Sequence, residues 1–192
     1  EHLTEEQVEA AIHQHRDDAF HADERLPTAV ASTLDDYRHS GWDRGHMAPS
    51  GDEPDVRSQF ESFALSNMVP QNSDDNRHLW ADIETAVREL VLVSGDDVYV
   101  VTGPLFSASE SASLNGGVWV PLLLFKAVYD PKAGIAGVYV ARNAPGHKYW
   151  VLSLKSFADR YGIDRFPGVS AMVAASAGEL PKPIFDRYHH AD

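Results

Sequence analysis

The chain has 192 residues, the length of one domain, and 43% of them are apolar, which is enough to build a hydrophobic core. It contains no cysteine, which excludes disulfides, thiolate metal sites and a cysteine nucleophile. Its formal net charge of −13 argues against broad electrostatic binding of nucleic acid, but not against an enzyme that holds phosphates with a few focused cations.

The first predicted element is a helix near the N-terminus. Thr4 and Gln7, three residues apart, form a capping-box pattern that predicts a helix through about Gln14. Because the chain opens at Glu1 rather than at a methionine, we expect an N-terminus that is processed, excised or truncated. A processed N-terminus would fit a secreted or periplasmic protein. Residues 16–55 are rich in Asp, Pro, Gly and Ser and are predicted to form loops with only short strands. Long ordered loops of this kind usually carry function.

The rest of the chain predicts alternating strands and helices. Residues 63–69, "FALSNMV", predict a short buried strand, and residues 76–90 predict a helix with a periodic apolar face. Segments rich in Val and Tyr predict three further strands, over residues 97–103, 118–130 and 134–142. A last helix is predicted over residues 153–162, before a proline-rich tail that ends in Tyr188, His189 and His190.

These elements predict one α+β domain over residues 1–192, with a mixed, largely antiparallel sheet and flanking helices. The longest apolar run is interrupted by Pro121 and Lys126 and is shorter than the roughly 18 residues of a membrane span, so we expect no membrane contact. Lys126 is expected either on a strand near the active-site face or as a structural lysine.

Three polar side chains are expected on one face of the helix over residues 76–90. At about 100° per residue, Asn76, Glu84 and Arg88 fall within about 120° of one another, on a stripe partly distinct from the apolar face. Each also has a purely structural interpretation: Asn76 as a helix cap, and Glu84 with Arg88 as a surface ion pair.

A second polar group lies in the loop segment, in the sequence Asp43-Arg44-Gly45-His46. Together with the helix face it supplies a titratable base, an amide oxygen, a carboxylate and two guanidinium groups. A neutral histidine can take a proton from water, Mg²⁺ prefers oxygen ligands and retains several waters, and arginine binds phosphate oxygens in pairs. The set therefore suits metal-assisted hydrolysis of a phosphodiester. Because the base must be neutral, activity is expected to rise as the pH passes the pKa of the histidine, about 6.5 when unperturbed.

The order of these residues resembles the DNA/RNA non-specific endonucleases of the ββα-metal type. The family pattern has D-R-G-H, then P-Q and N about thirty residues later, then W and E in the following helix. It is met at Asp43 to His46, Pro70–Gln71, Asn76, Trp80 and Glu84. Similarity continues in "VVTGPLF", "VWVPLLLFKAVYD" and "SFADRYGIDRFPG", so it covers most of the chain.

The resemblance implies a ββα-metal nuclease fold and cleavage of both DNA and RNA with Mg²⁺, or with Mn²⁺ or another divalent cation. It implies that His46 is the general base, Asn76 the direct metal ligand and Glu84 the residue that holds the water shell of the metal. It further implies that Arg44 and Arg88 contact phosphate or the leaving oxygen. Asp43 is expected to orient the loop, and Asp74 and Asp75 are either further oxygen ligands or turn residues.

Arg16, with Phe20 and Asp23, matches a further family pattern, R-x-x-x-F/W…D. The chain departs from the family in two places. The segment before Arg16 is largely missing, so the N-terminal part of the family domain is expected to be absent, and Arg77–His78 stands where relatives commonly carry Gln-Gly or Gln-Ala. The second departure is expected to alter substrate contacts.

Little base specificity is expected, because every residue in the set addresses phosphate, metal or water. The resemblance is also compatible with a protein inhibitor and with a homodimer. The alternative function is a catalytically degenerate nuclease fold that only binds nucleic acid or a protein. The charge of −13 favours this alternative, and the intact base and metal ligand oppose it.

Overall fold

The computed structural model describes residues 1–114, 117–164 and 166–184, so the predicted C-terminal tail at Tyr188 to His190 lies outside the described residues. The strands are β1 (His2–Leu3), β2 (Asp43–His46), β3 (Met68–Gln71), β4 (Val98–Leu105), β5 (Leu123–Asp130), β6 (Ile135–Arg142) and β7 (Tyr149–Leu152). The α-helices are α1 (Glu5–Ile12), α2 (Leu34–Tyr37), α3 (Val56–Ser62), α4 (Ser73–Asp75), α5 (Ala81–Ser94), α6 (Leu154–Tyr161) and α7 (Ala171–Ala175).

Two antiparallel sheets organise these elements. Five strands pair in the order β1-β4-β5-β6-β7, and β2 pairs with β3 in a separate two-stranded sheet. The predicted antiparallel sheet is therefore confirmed. No helix among the described residues is long and apolar enough to cross a membrane.

The larger sheet has helices on both faces. Successive residues of β5 point to opposite faces, so Leu124 packs with Ile83 of α5, while Phe125 packs with Phe157 of α6. Because both faces are covered, β5 and β6 are buried over nearly their whole length. The hydrophobic core thus fixes α5 and the segment before it against the sheet.

The helix that carries the predicted site begins earlier than its apolar pattern indicated. Helical backbone runs from Ser73 to Ser94 through a π-helical turn, Asn76–Trp80, and we call this whole segment the long helix. Its cap is Asn72, whose Oδ1 accepts from the backbone N–H groups of Asp74 and Asp75 at 3.0 and 3.4 Å. The structural interpretation of Asn76 as the cap is therefore wrong.

Two predicted strands begin later than expected. The segment at 63–69 contains a 3₁₀ turn, Leu65–Asn67, and β3 begins at Met68. The segment at 118–130 forms β5 only from Leu123, because the residues before it bond to a neighbouring loop, for example Val120 N–H to Ala112 C=O. Five short elements, β1, α2, α3, α7 and β7, were not predicted.

The sheet of β2 and β3 depends on a close approach at Gly45. A Cβ atom added to this glycine would lie 2.0 Å from Gln71 Oε1 and 2.6 Å from Gln71 Cβ. Gln71 is fully buried, and its Nε2 donates to Asp75 at the start of the long helix. A larger residue at 45 would therefore push β2 away from β3 and from the long helix.

Gly45→Ala is expected to lower the free energy of unfolding by about 1–3 kcal/mol, because the added methyl group overlaps a buried side chain that has little room to move. Urea unfolding followed by circular dichroism measures this change. Gly168→Ala is the matched control, since nothing lies within 4 Å of a Cβ added there. Equal unfolding midpoints for the two variants would show that β2 tolerates a side chain at 45.

Candidate active site

One cavity of about 410 Å³ lies between β2, the turn at Ser50–Asp52, the end of α1 and the long helix. Six of the seven predicted site residues line it: Arg16, Arg44, His46, Asn76, Glu84 and Arg88. The seventh, Asp43, does not line the cavity but contacts Asn76. The structure thus brings together residues that are up to 72 positions apart in the sequence.

The cavity is positive although the chain as a whole is strongly acidic. Four arginines (Arg16, Arg44, Arg77 and Arg88) and one acid (Glu84) line it, which gives the lining a formal charge of +3. A concave, partly enclosed surface focuses such a charge and favours anions such as phosphate.

His46, at the end of β2, is only 8% exposed. Its ring stands edge-on to Phe63, with centroids 4.8 Å apart, and its Nε2 is buried without a hydrogen-bond partner among the described residues. Burial, helped by the charge of Arg16, lowers the pKa of His46 from its ordinary 6.5 to about 4. The ring is therefore neutral near pH 7 and able to accept a proton.

Asn76 presents its amide oxygen towards the cavity because its nitrogen is used elsewhere. Its Nδ2 donates to Asp43 Oδ2 at 3.1 Å, and a carboxylate can only accept, so the amide cannot be turned round without placing two acceptors together. No hydrogen bond from a described residue occupies the oxygen. Asp43, predicted to orient the loop, thus fixes the amide as well.

The π-helical turn aligns Asn76 with Glu84. In an unbroken α-helix, residues eight apart differ by about 80° around the axis, since each residue advances by about 100°. A π turn accommodates one extra residue, which reduces this difference to about 20°. Helix geometry therefore places residues 76 and 84 closer to one line along the helix than the sequence predicted, and both line the cavity.

Glu84 is half-buried, and burial raises its pKa to about 7 against the opposing charges of Lys126 and Arg88. Lys126 lies on β5 below the helix, is buried, and donates from Nζ to Thr102 Oγ1 at 2.7 Å. It does not line the cavity, so the structural interpretation of this lysine applies.

Two of the arginines are held in different ways. Arg44 lies over the ring of Phe20, 4.2 Å from its centroid, and its Nε has no hydrogen-bond partner among the described residues. Arg88 donates to Asp52 Oδ1 at 2.7 Å and to Thr85 Oγ1 at 3.0 Å, so Asp52 is an ion-pair partner of Arg88.

Arg16 donates to Asp18 and Ser50, at 2.8 and 3.0 Å. Its guanidinium carbon lies 5.2 Å from the centroid of the Phe63 ring. Of its predicted companions, Phe20 lies beside His46, with ring centroids 5.8 Å apart, whereas Asp23 binds Arg25 and Ser66 away from the cavity.

Neither of the two further candidate ligands lines the cavity. Asp74 accepts from the backbone N–H of Gly146 at 2.8 Å. Asp75 is fully buried, accepts from Gln71 Nε2, and burial raises its pKa to about 7. Both therefore serve the turn and the helix, as the alternative interpretation held.

Sequence reasoning missed two residues that hold cavity side chains in place: Asp52, which binds Arg88, and Phe63, which packs against His46. Asp52 was missed because its partner Arg88 is 36 residues away, and Phe63 because it was assigned to a strand. Arg77 was noted only as a departure from the family pattern, and it lies at the cavity with its guanidinium on Asp43. The run of Asp and Pro after Gly51 was the only available signal for Asp52.

Comparisons with known proteins agree with the geometry. The profile of the family described as DNA/RNA non-specific endonuclease matches residues 1–172. Nuclease C1 of Cunninghamella echinulata var. echinulata is 39% identical over 157 residues, covering 76% of this chain and 62% of that protein. Nuclease 1, mitochondrial, of Schizosaccharomyces pombe is 30% identical over 194 residues, covering 93% of this chain and 58% of that protein.

The fold also matches a chain in the crystal structure of the EndoG/EndoGI complex, a structure concerned with the mechanism of EndoG inhibition. The two chains superpose with a TM-score of 0.74 and are 29% identical. The match covers 88% of this chain and 78% of that chain. The predicted ββα-metal fold is therefore confirmed. The chain spans about 60% of the length of the two curated relatives described.

Asp52→Ala is expected to lower the free energy of unfolding by about 1–3 kcal/mol, because the largely buried Arg88 loses its acceptor. Urea unfolding measures the change. The matched control is Asp35→Ala, which breaks an exposed pair with Arg38 and should change stability little. Equal effects of the two substitutions would mean that Asp52 does not anchor Arg88.

Proposed function

This chain belongs to the DNA/RNA non-specific endonuclease family, and from that membership we propose that it hydrolyses phosphodiester bonds in both DNA and RNA with the help of a divalent cation. One observation carries the proposal. One cavity contains a neutral histidine, an amide oxygen with no hydrogen-bond donor among the described residues, a carboxylate and four guanidinium groups.

The donors in the cavity fit a magnesium ion that keeps most of its water. Among the described residues no three His, Asp or Glu side chains come together as a metal cluster, so a cage built only of such side chains is not present there. The amide oxygen of Asn76 would be the direct ligand, and the carboxylate of Glu84 would bind the surrounding waters. When bound, Mg²⁺, or Mn²⁺ in its place, supplies positive charge to the phosphate oxygens.

The side chains of the chain itself perform the proton transfer and hold the substrate. His46 takes a proton from the attacking water, which its buried, neutral ring can do at neutral pH. Arg44 and Arg88 bind phosphate oxygens and stabilise the additional negative charge of the transition state. Arg16 adds positive charge beside His46 and keeps its ring neutral.

These groups recognise the backbone of nucleic acid rather than its bases. Each residue proposed to act on substrate is directed at phosphate, metal or water, and phosphate is common to DNA and RNA. The substrates are therefore proposed to be DNA and RNA without strong sequence preference. The EndoG/EndoGI complex supports a protein inhibitor for this chain as well. A homodimer and a secreted or periplasmic location stay predictions.

Purified protein is expected to cut supercoiled plasmid and RNA with Mg²⁺ and to stop in EDTA. His46→Ala should lose about 10²–10⁴-fold in rate at saturating Mg²⁺, because the water loses its proton acceptor. Asn76→Ala should instead raise the Mg²⁺ concentration for half-maximal rate about tenfold or more, because its amide oxygen is deleted. Gel-based initial rates across a Mg²⁺ series measure both effects.

His13→Ala, an exposed histidine outside the cavity, is the control for His46. Activity that persists in EDTA would contradict the metal-assisted mechanism. Absence of cleavage with every divalent cation, together with retained DNA binding, would favour the catalytically degenerate alternative.

The acid limb of the pH profile is expected well below the ordinary histidine range. The neutral form of His46 is active, so activity rises as the ring loses its proton, and a pKa of about 4 places this rise near pH 4 rather than near 6.5. Arg16→Ala should move the rise to higher pH, because the charge of Arg16 lowers the pKa of His46. The measurement is kcat/KM from pH 3 to 8.

Arg16→Lys, which keeps the positive charge, is the matched control and should leave the limb near its original position. Circular dichroism at each pH separates titration from acid unfolding. A limb centred near pH 6.5 in the unmodified protein would mean that another group, or an exposed histidine, acts as the base.

A further inference from the structure

Arg77 pairs with Asp43, the carboxylate that also contacts the proposed metal ligand Asn76. Its Nε and one terminal nitrogen both donate to Asp43, at 2.9 Å to Oδ2 and 2.9 Å to Oδ1. Such a two-point pair fixes the plane of the carboxylate as well as its position. The same Oδ2 also accepts from Asn76 Nδ2. The Asp43 carboxylate thus accepts from Arg77 and, at the same time, from the side-chain amide of Asn76.

We propose that Arg77 is a positioning residue for metal binding, which acts by clamping Asp43 so that Asn76 keeps its oxygen in the cavity. The inference rests on the proposed function, in which Asn76 is the direct ligand. It assigns a role to a residue at which the chain departs from the family pattern.

The partial exposure of Asp43 explains why its carboxylate needs Arg77 to hold it in place. The side chain of Asp43 is 21% exposed, so water can compete for its oxygens, and a freely rotating carboxylate would release the amide. With Arg77 in place both oxygens have donors, and the remaining direction of Oδ2 points at Asn76. Holding a ligand in its binding orientation before the metal arrives removes an ordering cost from binding.

A direct contact with phosphate is the competing role. Arg77 is 67% exposed, and two of its five N–H groups are used on Asp43, which leaves three for another acceptor. The two roles differ in a measurable way. A clamp changes metal affinity without nucleic acid, whereas a phosphate contact changes only the binding of substrate.

The test is a titration of the full chain with Mn²⁺, followed by electron paramagnetic resonance in the absence of nucleic acid. Arg77→Gln, which removes the charge and the fork, is expected to raise the Kd for Mn²⁺ about 3–10-fold, less than the 10–100-fold typical of a direct partner of a ligand. Arg77→Lys, which offers only a point contact, should lie between Arg77→Gln and the unmodified protein.

Arg57→Gln is the matched control, because Arg57 is 89% exposed and forms its own pair with Glu61 away from the cavity. Thermal unfolding of each variant shows that the fold is kept. In an Asp43→Ala background, Arg77→Gln should cause no further loss of affinity, since no acceptor is left at position 43 for the clamp.

An unchanged Kd for Mn²⁺ in Arg77→Gln would overturn the inference while leaving the proposed function intact. If the KM for DNA then rose and its salt dependence fell by about one phosphate contact, Arg77 would bind phosphate directly. Absence of Mn²⁺ binding in the unmodified protein would overturn both proposals.

Discussion

The hydrogen bonds to the Asp43 carboxylate are the contact on which the arrangement of the cavity depends. They join the first residue of β2 to two consecutive residues of the long helix, 33 and 34 positions later in the chain. The base and the proposed metal ligand lie on these two elements, so their relative position is set where the elements meet. Gly45 makes the contact feasible, because only a residue without a side chain lets β2 lie against Gln71.

The chain is acidic as a whole, but the residues that line the cavity carry a positive formal charge. A protein with a net charge of −13 would repel nucleic acid if its surface were uniform, yet the cavity lining carries a formal +3. The half-buried Glu84 and the fully buried Asp75 carry less negative charge near pH 7 than free carboxylates would, since burial raises the pKa of both to about 7. Lys126 opposes this shift at Glu84 from below the helix. Three of the lining arginines also pair with aspartates outside the lining, which partly offsets its positive charge: Arg16 with Asp18, Arg77 with Asp43 and Arg88 with Asp52.

Local sequence signals predicted the elements that depend on local interactions. The capping box at Thr4 and Gln7 is present in α1, and α6 ends at Gly162, a glycine with φ of 69°. The antiparallel strands β4 and β6 followed from their Val- and Tyr-rich pattern. The helix α3 was missed because Val56 and Phe60 are exposed, so its apolar residues do not mark a buried face. Asp52 was missed because its partner is distant in sequence, and no local pattern reports such a pair.

The π-helical turn shows most clearly what the sequence could not give. Its apolar residues, Leu79 and Trp80, are buried in the core much as those of an ordinary helix would be, so periodicity cannot distinguish the two. The turn nevertheless aligns Asn76 with Glu84 and sets Asn76 and Arg77 on the same carboxylate. The proton acceptor is controlled separately, by Phe63 and by burial at the end of β2. The base and the metal donors therefore have different supports within one cavity, and Asp43, the first residue of β2, connects the two.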